Sequence, residues 1–179
     1  QALRRGLENP IDREQLIGET QLAARAALKE SGVPDSNVER VWSLFTDDYF
    51  LRCRSEEIAW HTKILAGSDT AGSVGLVAVR KQPDGDGMEA MLYTPRSKLT
   101  FAHVTAVLDE LGMTIVDARI VPIANGYSLE TFVFLETDKR TVVDTRRIEK
   151  VRQNLTRVLS VKSAPAKVMR PAPRQVRMF

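Results

Sequence analysis

The chain has 179 residues, 43% of them hydrophobic and 27% charged, with a formal net charge of +3. That supports one packed domain, or a small domain with a helical annex. No apolar run approaches the roughly 20 residues that cross a bilayer, and no secretion signal opens the chain. The lone cysteine, Cys53, excludes an internal disulfide, which suits a reducing, cytoplasmic setting. The chain opens on Gln1 instead of Met, as expected of a segment from something longer.

In chain order, Asn9-Pro10-Ile11-Asp12 opens a helix, with Asp12 placed to cap it and Gln15 three residues on, as in a capping box. Its apolar face is thin (Leu16, Ala23, Ala27, Leu28), so the helix needs a neighbour to pack on. Gly32 and Pro34 end it. A stronger stripe follows, Val38, Val41, Trp42 and Phe45 at i, i+3, i+4, i+7. Residues 48–52 read as one more short turn. Ser55 is placed to cap the next helix, with Glu56 and Glu57 in the first turn, where the helix dipole favours negative charge. Ile58, Thr62 and Leu65 share one side of it, Trp60 and Ile64 another. Residues 66–73 are small and polar, a linker. The boundary between a helical annex (1–70) and a sheet domain (71–179) is expected near 67–72.

Leu76-Val77-Ala78-Val79 is a short apolar run that reads as a strand, and Pro83-Asp84-Gly85 is a turn signal. The stretch 88–136 then reads strand, helix, strand, tight turn, strand. Glu89-Ala90-Met91-Leu92-Tyr93 is an apolar strand ending at Pro95. Phe101, Val104, Val107, Leu108 and Leu111 form a helical stripe, stopped by Gly112. Residues 113–123 run extended, Asn125-Gly126 supplies a hairpin turn, and 127–136 returns antiparallel. Ile148, Val151, Leu155, Val158 and Leu159 stripe a second helix. Pro165, Pro171 and Pro173 rule out a helix over 163–173, and 174–179 can supply a last strand. The order βαββαβ is the ferredoxin-like, α+β arrangement, two helices across one four-stranded sheet, with 74–80 as an added edge strand.

These residues resemble a known family. Tyr93-Thr94-Pro95, Leu111-Gly112-Met113, Asp117-Ala118-Arg119-Ile120 and Asn125-Gly126-Tyr127-Ser128-Leu129-Glu130-Thr131-Phe132-Val133 look like the first ACT domain of bacterial PII uridylyltransferase/uridylyl-removing enzymes. Asp47-Asp48-Tyr49-Phe50-Leu51-Arg52 and Glu56-Glu57-Ile58-Ala59-Trp60-His61-Thr62 are similar to the segment before that domain. The resemblance implies a noncatalytic regulatory piece, the tail of a central helical region plus the first ACT domain. The parent would add UMP to the signal protein PII, using UTP and Mg²⁺, and remove it again, under the control of L-glutamine. Implied partners are the second ACT domain, the catalytic domains, PII and an ACT-paired dimer.

The same resemblance implies a ligand site. ACT domains hold an amino acid between the loop from the first strand into the first helix and the second strand of a paired domain. Helix N-terminal amides attract the carboxylate. In this chain the loop supplies Arg96, Ser97, Leu99 and Thr100, and the strand supplies Asp117 and Arg119. Leu99 stands where the family has glycine and adds bulk where the ligand would lie. Amino-acid sensing and pairing with the second ACT domain are therefore the two roles to separate.

Chemistry is sparse. His61 and His103 are followed by Thr62 and Val104, not by the aspartate of an adjacent His-Asp metal pair. Gly72-Ser73 followed by Asp84-Gly85-Asp86 has nucleotidyltransferase spacing, but the aspartates sit in a glycine-rich turn, so a turn is expected. Cys53 lies between Arg52 and Arg54, which could lower its pKa, yet no base accompanies it and it reads as structural. His61 is expected to hydrogen-bond locally. Along 129–135, Leu129, Thr131, Val133 and Leu135 face one way and Phe132 and Phe134 the other, leaving the phenylalanines on an open sheet face or under the N-terminal helices. From 150 to 179 there are eight Lys or Arg and no acidic residue. A small basic nucleic-acid-binding module, stacking bases on Phe132 and Phe134, is thus the alternative class.

Overall fold

A computed structural model describes residues 10–68 and 75–163. Four helices come first: α1 (Pro10–Glu30), α2 (Asp35–Trp42), α3 (Asp47–Arg52) and α4 (Ser55–Ala66). Then follow β1 (Leu76–Lys81), β2 (Met88–Pro95), α5 (Thr100–Glu110), β3 (Met113–Pro122), β4 (Tyr127–Glu136) and α6 (Thr145–Ser163). The strands form one antiparallel sheet in the order β1-β2-β4-β3.

Local chemistry sets the two turns that shape the sheet. At Gly126 φ is +82°, and Asn125 accepts the Tyr127 amide at 3.2 Å, so the β3–β4 hairpin closes as its residues dictate. Gly112, at φ +76°, lets the chain leave α5 directly into β3. β1 lies beside β2 with Arg80 opposite Glu89. It fills the outer place, antiparallel to the first core strand, that the closing strand of a βαββαβ unit would take. The expected last strand, 174–179, lies outside the described residues, as does the proline segment apart from Ser163, which the helix α6 includes instead of stopping before it.

Both sheet faces are covered. Met88, Ala90, Leu92, Phe132 and Phe134 face α5 and α6, where they meet Val104, Leu108, Val151 and Leu155. Met91, Tyr93 and Leu129 face the N-terminal helices and join Leu28, Val38, Val41, Trp42, Tyr49, Phe50, Ile58 and Leu65 in a second core. The chain is α+β, consistent with a ferredoxin-like ACT domain whose second sheet face is closed by its own helical region.

Several expectations change. Phe132 and Phe134 lie under α5 and α6 and are fully buried, so they offer no platform to bases. The N-terminal helices cover the opposite face. In α1 the buried stripe is Ile17, Ala24 and Leu28, not Leu16, Ala23 and Ala27; a run of alanines marks a face weakly, and the single buried isoleucine decides it. Asp12 lies inside the first turn of α1, and Gln15 donates to Glu19 instead of closing a capping box. Ser55 is already helical; the cap position is Arg54, whose amide donates to Glu57 at 2.9 Å.

Candidate functional site at the sheet edge and beneath α4

The loop entering α5 is pinned to the β3–β4 hairpin. The Arg96 amide donates to the Gly126 carbonyl at 2.9 Å, and its guanidinium to the Ile123 carbonyl at 3.2 Å. Ser97 Oγ accepts the Leu99 amide at 3.2 Å. Thr100 is buried, whereas Leu99 is 59% exposed and stands at the helix cap without a side-chain hydrogen bond to the first turn. The amide end of α5 thus has an apolar neighbour where a polar cap would normally sit.

Asp117 and Arg119 lie on β3, the other outer strand, after a bulge between Ile115 and Asp117. Arg119 points toward the helical region, the face opposite α5. Within one chain the structure therefore does not bring the loop and these two residues together. The Arg119 guanidinium grips both Glu57 oxygens, one of them at 3.3 Å, and donates to the Arg52 carbonyl at 2.9 Å. Its Nε is 3.4 Å from Asp117. Glu57 is the residue that also closes the α4 cap, so one carboxylate serves the helix start and the sheet edge together.

The opposite outer strand makes a second attachment. Arg80 on β1 donates twice to Glu89 of β2, at 2.9 and 2.7 Å, and lies over the Trp60 ring of α4 at 4.1 Å. Burial pushes the Glu89 pKa up and adjacent Glu57 adds to it, against the pull of Arg80. Glu57 is held below its usual range: its burial is outweighed by the bonds from Arg119 and the Arg54 amide. The two carboxyls stand in one buried layer with opposite protonation tendencies. His61 on α4 shares a 2.9 Å hydrogen bond with the Tyr49 hydroxyl, and burial depresses its pKa to about 3. That local bond is the one its sequence position suggested.

Cys53, read from sequence as structural, is buried. Its thiol is pushed up to about 12, first by burial and then by Glu57, which overrides Arg119 and Arg52. Flanking arginines do not activate a thiol that faces a core. Among the described residues no group of three or more His, Cys, Asp or Glu could hold a metal ion. Residues 83–86 form the expected bend, with Asp84 3.1 Å from Arg54; Gly72 and Ser73 lie outside the described residues. Glu57, Glu89 and Arg80 were not singled out as site residues from sequence. The Arg80–Glu89 pair was findable, as opposite charges facing each other across a strand-turn-strand; Glu57 read as a dipole residue only.

The fold and this polar joint define a ferredoxin-like α+β domain fastened to a helical segment. Residues 12–64 match the family described as the fifth domain of uridylyltransferase GlnD. Over 182 aligned residues the chain is 36% identical to bifunctional uridylyltransferase/uridylyl-removing enzymes of Pseudomonas fluorescens (strain SBW25) and Azotobacter vinelandii (strain DJ / ATCC BAA-1303). The alignments cover 99% of this chain and 20% of each relative. The chain belongs to this uridylyltransferase/uridylyl-removing enzyme family. It spans about a fifth of the length of the curated relatives it matches. The family match falls on the helical region and the full-length identity carries through the sheet.

Proposed function

We propose that this chain is a noncatalytic regulatory segment of a PII uridylyltransferase/uridylyl-removing enzyme, acting in the cytoplasm. It relays the state of an ACT pair to the helical region and so to the catalytic domains that modify PII with UTP and Mg²⁺. The observation that carries this reading is the Arg119–Glu57 joint. It ties an outer strand of the sheet to the first turn of the last N-terminal helix. The outer edge of β3 carries Val116 and Ile120, each more than half exposed, and a bulge that re-aims the strand. Such an edge suits pairing with the second ACT domain.

In this reading L-glutamine binds only across the pair, because Leu99 crowds the loop of this domain alone. A ligand shifts the balance between adding and removing UMP only through unequal affinity for the two states. Calorimetry with L-glutamine on this chain and on the full-length parent tests it. Binding by the parent and none by this chain is expected; equal, tight binding by this chain alone would overturn the pairing requirement.

A further inference from the structure

The layer beneath α4 is incompletely bonded. Three fully buried polar atoms in it have no hydrogen-bond partner: Arg119 Nε, Glu89 Oε1 and His61 Nε2. A buried network with orphan donors and acceptors is poorly locked in its present arrangement. Of these three residues only Arg119 lies on an outer strand; its side chain is 26% exposed, while its partner Glu57 is 4% exposed. Beside it, Asp117 is more than half exposed and only 3.4 Å away. A guanidinium and a carboxylate side by side on an open strand edge match a zwitterion, carboxylate to arginine and ammonium to aspartate.

We propose that Arg119 is a two-position latch, held inward by Glu57 and drawn outward by the α-carboxylate of a free amino acid bound at the β3 edge. This rests on the amino-acid-sensing reading above and adds the internal competitor to it. Glu57 occupies the fork that the ligand carboxylate needs, so binding requires the joint to open. Opening frees Arg52 and the start of α4 from β3, because the same guanidinium holds the Arg52 carbonyl and the capping carboxylate. Ligand arrival at the sheet edge is thereby converted into loosening of the α4 N-terminus. The coupling is reciprocal.

Amide exchange by mass spectrometry on this chain tests the latch without ligand. E57Q is expected to speed exchange in residues 117–121, and R119Q to speed it in residues 54–58, each roughly tenfold, with β2 and α5 unchanged. R119K, which keeps the charge and loses the fork, falls between. If either single variant leaves the other element's exchange unchanged, the latch is overturned. The second arm is L-glutamine titration of the full-length parent. Removing the competitor in E57Q is expected to tighten binding roughly tenfold. Equal affinity in both overturns the latch and leaves sensing intact, while absence of binding in both overturns sensing and the ligand-driven opening together.

Discussion

The two faces of the sheet are closed by different physics. Under α5 and α6 the contacts of Phe132, Phe134, Met88, Ala90 and Leu92 are apolar and fully buried, and dispersion and burial hold them without directional demands. Under α4 the outer contacts are polar: Glu57, Glu89, Arg80, Arg119 and His61 must meet at fixed geometry, and some of their atoms go unmatched. An apolar face of this kind loses stability smoothly when trimmed. A polar face loses its specific arrangement when one partner goes, and can adopt another when a better partner arrives. The first makes a rigid platform; the second makes a joint.

The largest expected effect tests the platform. Phe132→Ala removes a ring that packs 5.7 Å, centroid to centroid, from Phe101 at the centre of the dry face. It should cost about 3–5 kcal/mol in urea denaturation. A loss below about 1 kcal/mol would mean that face is not a packed core. Next comes the joint. Arg119→Ala strands a buried Glu57 and should cost about 3 kcal/mol, the lower end for a broken buried pair because the arginine keeps some exposure. Replacing both partners, Glu57→Leu with Arg119→Met, should restore most of that stability while abolishing the coupling between β3 and α4. Were the contact only packing, the single change would cost no more than the double.

The platform was legible in the sequence and the joint was not. Val104, Val107 and Leu108 repeat at helical spacing, Gly112 stops the helix, and Asn125-Gly126 makes the hairpin, all signals contained within a few residues. Alternation along β4 separated Phe132 and Phe134 from Leu129 and Val133, yet which helices cover which face depends on how distant segments meet. Glu57 and Arg119 are 62 positions apart, and no local pattern pairs them. Cys53 shows the same limit: its neighbours in sequence are arginines, but its neighbours in space are a core and a carboxylate. The site residues Arg96 to Thr100 and Asp117 with Arg119 came from a family resemblance, which names positions and says nothing of the face each one occupies.

Acid probes the joint next, through buried His61 and the carboxyls of Glu57 and Glu89; the other face holds a buried carboxyl of its own, Glu130, whose pKa burial also raises. His61 has a folded pKa of about 3 against an ordinary 6.5. Below pH 6.5 the unfolded chain takes a proton that the folded chain refuses, so stability falls as pH drops toward 3, by about 1.4 kcal/mol per unit. Between pH 7 and 5 that amounts to roughly 2 kcal/mol. Glu57, with a lowered pKa, contributes stability above the usual carboxylate range and loses it as pH falls through its folded value. Glu89, raised, acts in the opposite sense, gaining as it is protonated. Comparing denaturation curves of the wild type and His61→Gln at pH 7 and 5 isolates the histidine: the variant should lose the slope between those values. An unchanged slope would mean His61 is protonated in the folded protein.

The smallest effect sharpens the comparison most, since it removes direction while keeping apolar cover. Trp60→Leu leaves a hydrophobic side chain on α4 but takes away the ring face under Arg80, 4.1 Å from its centroid. Arg80 keeps its double bond to Glu89, so the expected cost is about 0.5–1 kcal/mol. If the contact is only packing, leucine replaces most of it and the loss depends little on salt. If it is the cation–π attraction, Trp60→Leu should weaken the β1 attachment selectively, with faster amide exchange in β1 and none in β3. The Arg119–Glu57 joint would then be the one remaining charged anchor of α4 on the sheet among the described residues, and the Arg119→Ala penalty measured in the Trp60→Leu background should exceed that in the wild type. Strict additivity of the two changes would show that the two outer strands hold α4 independently.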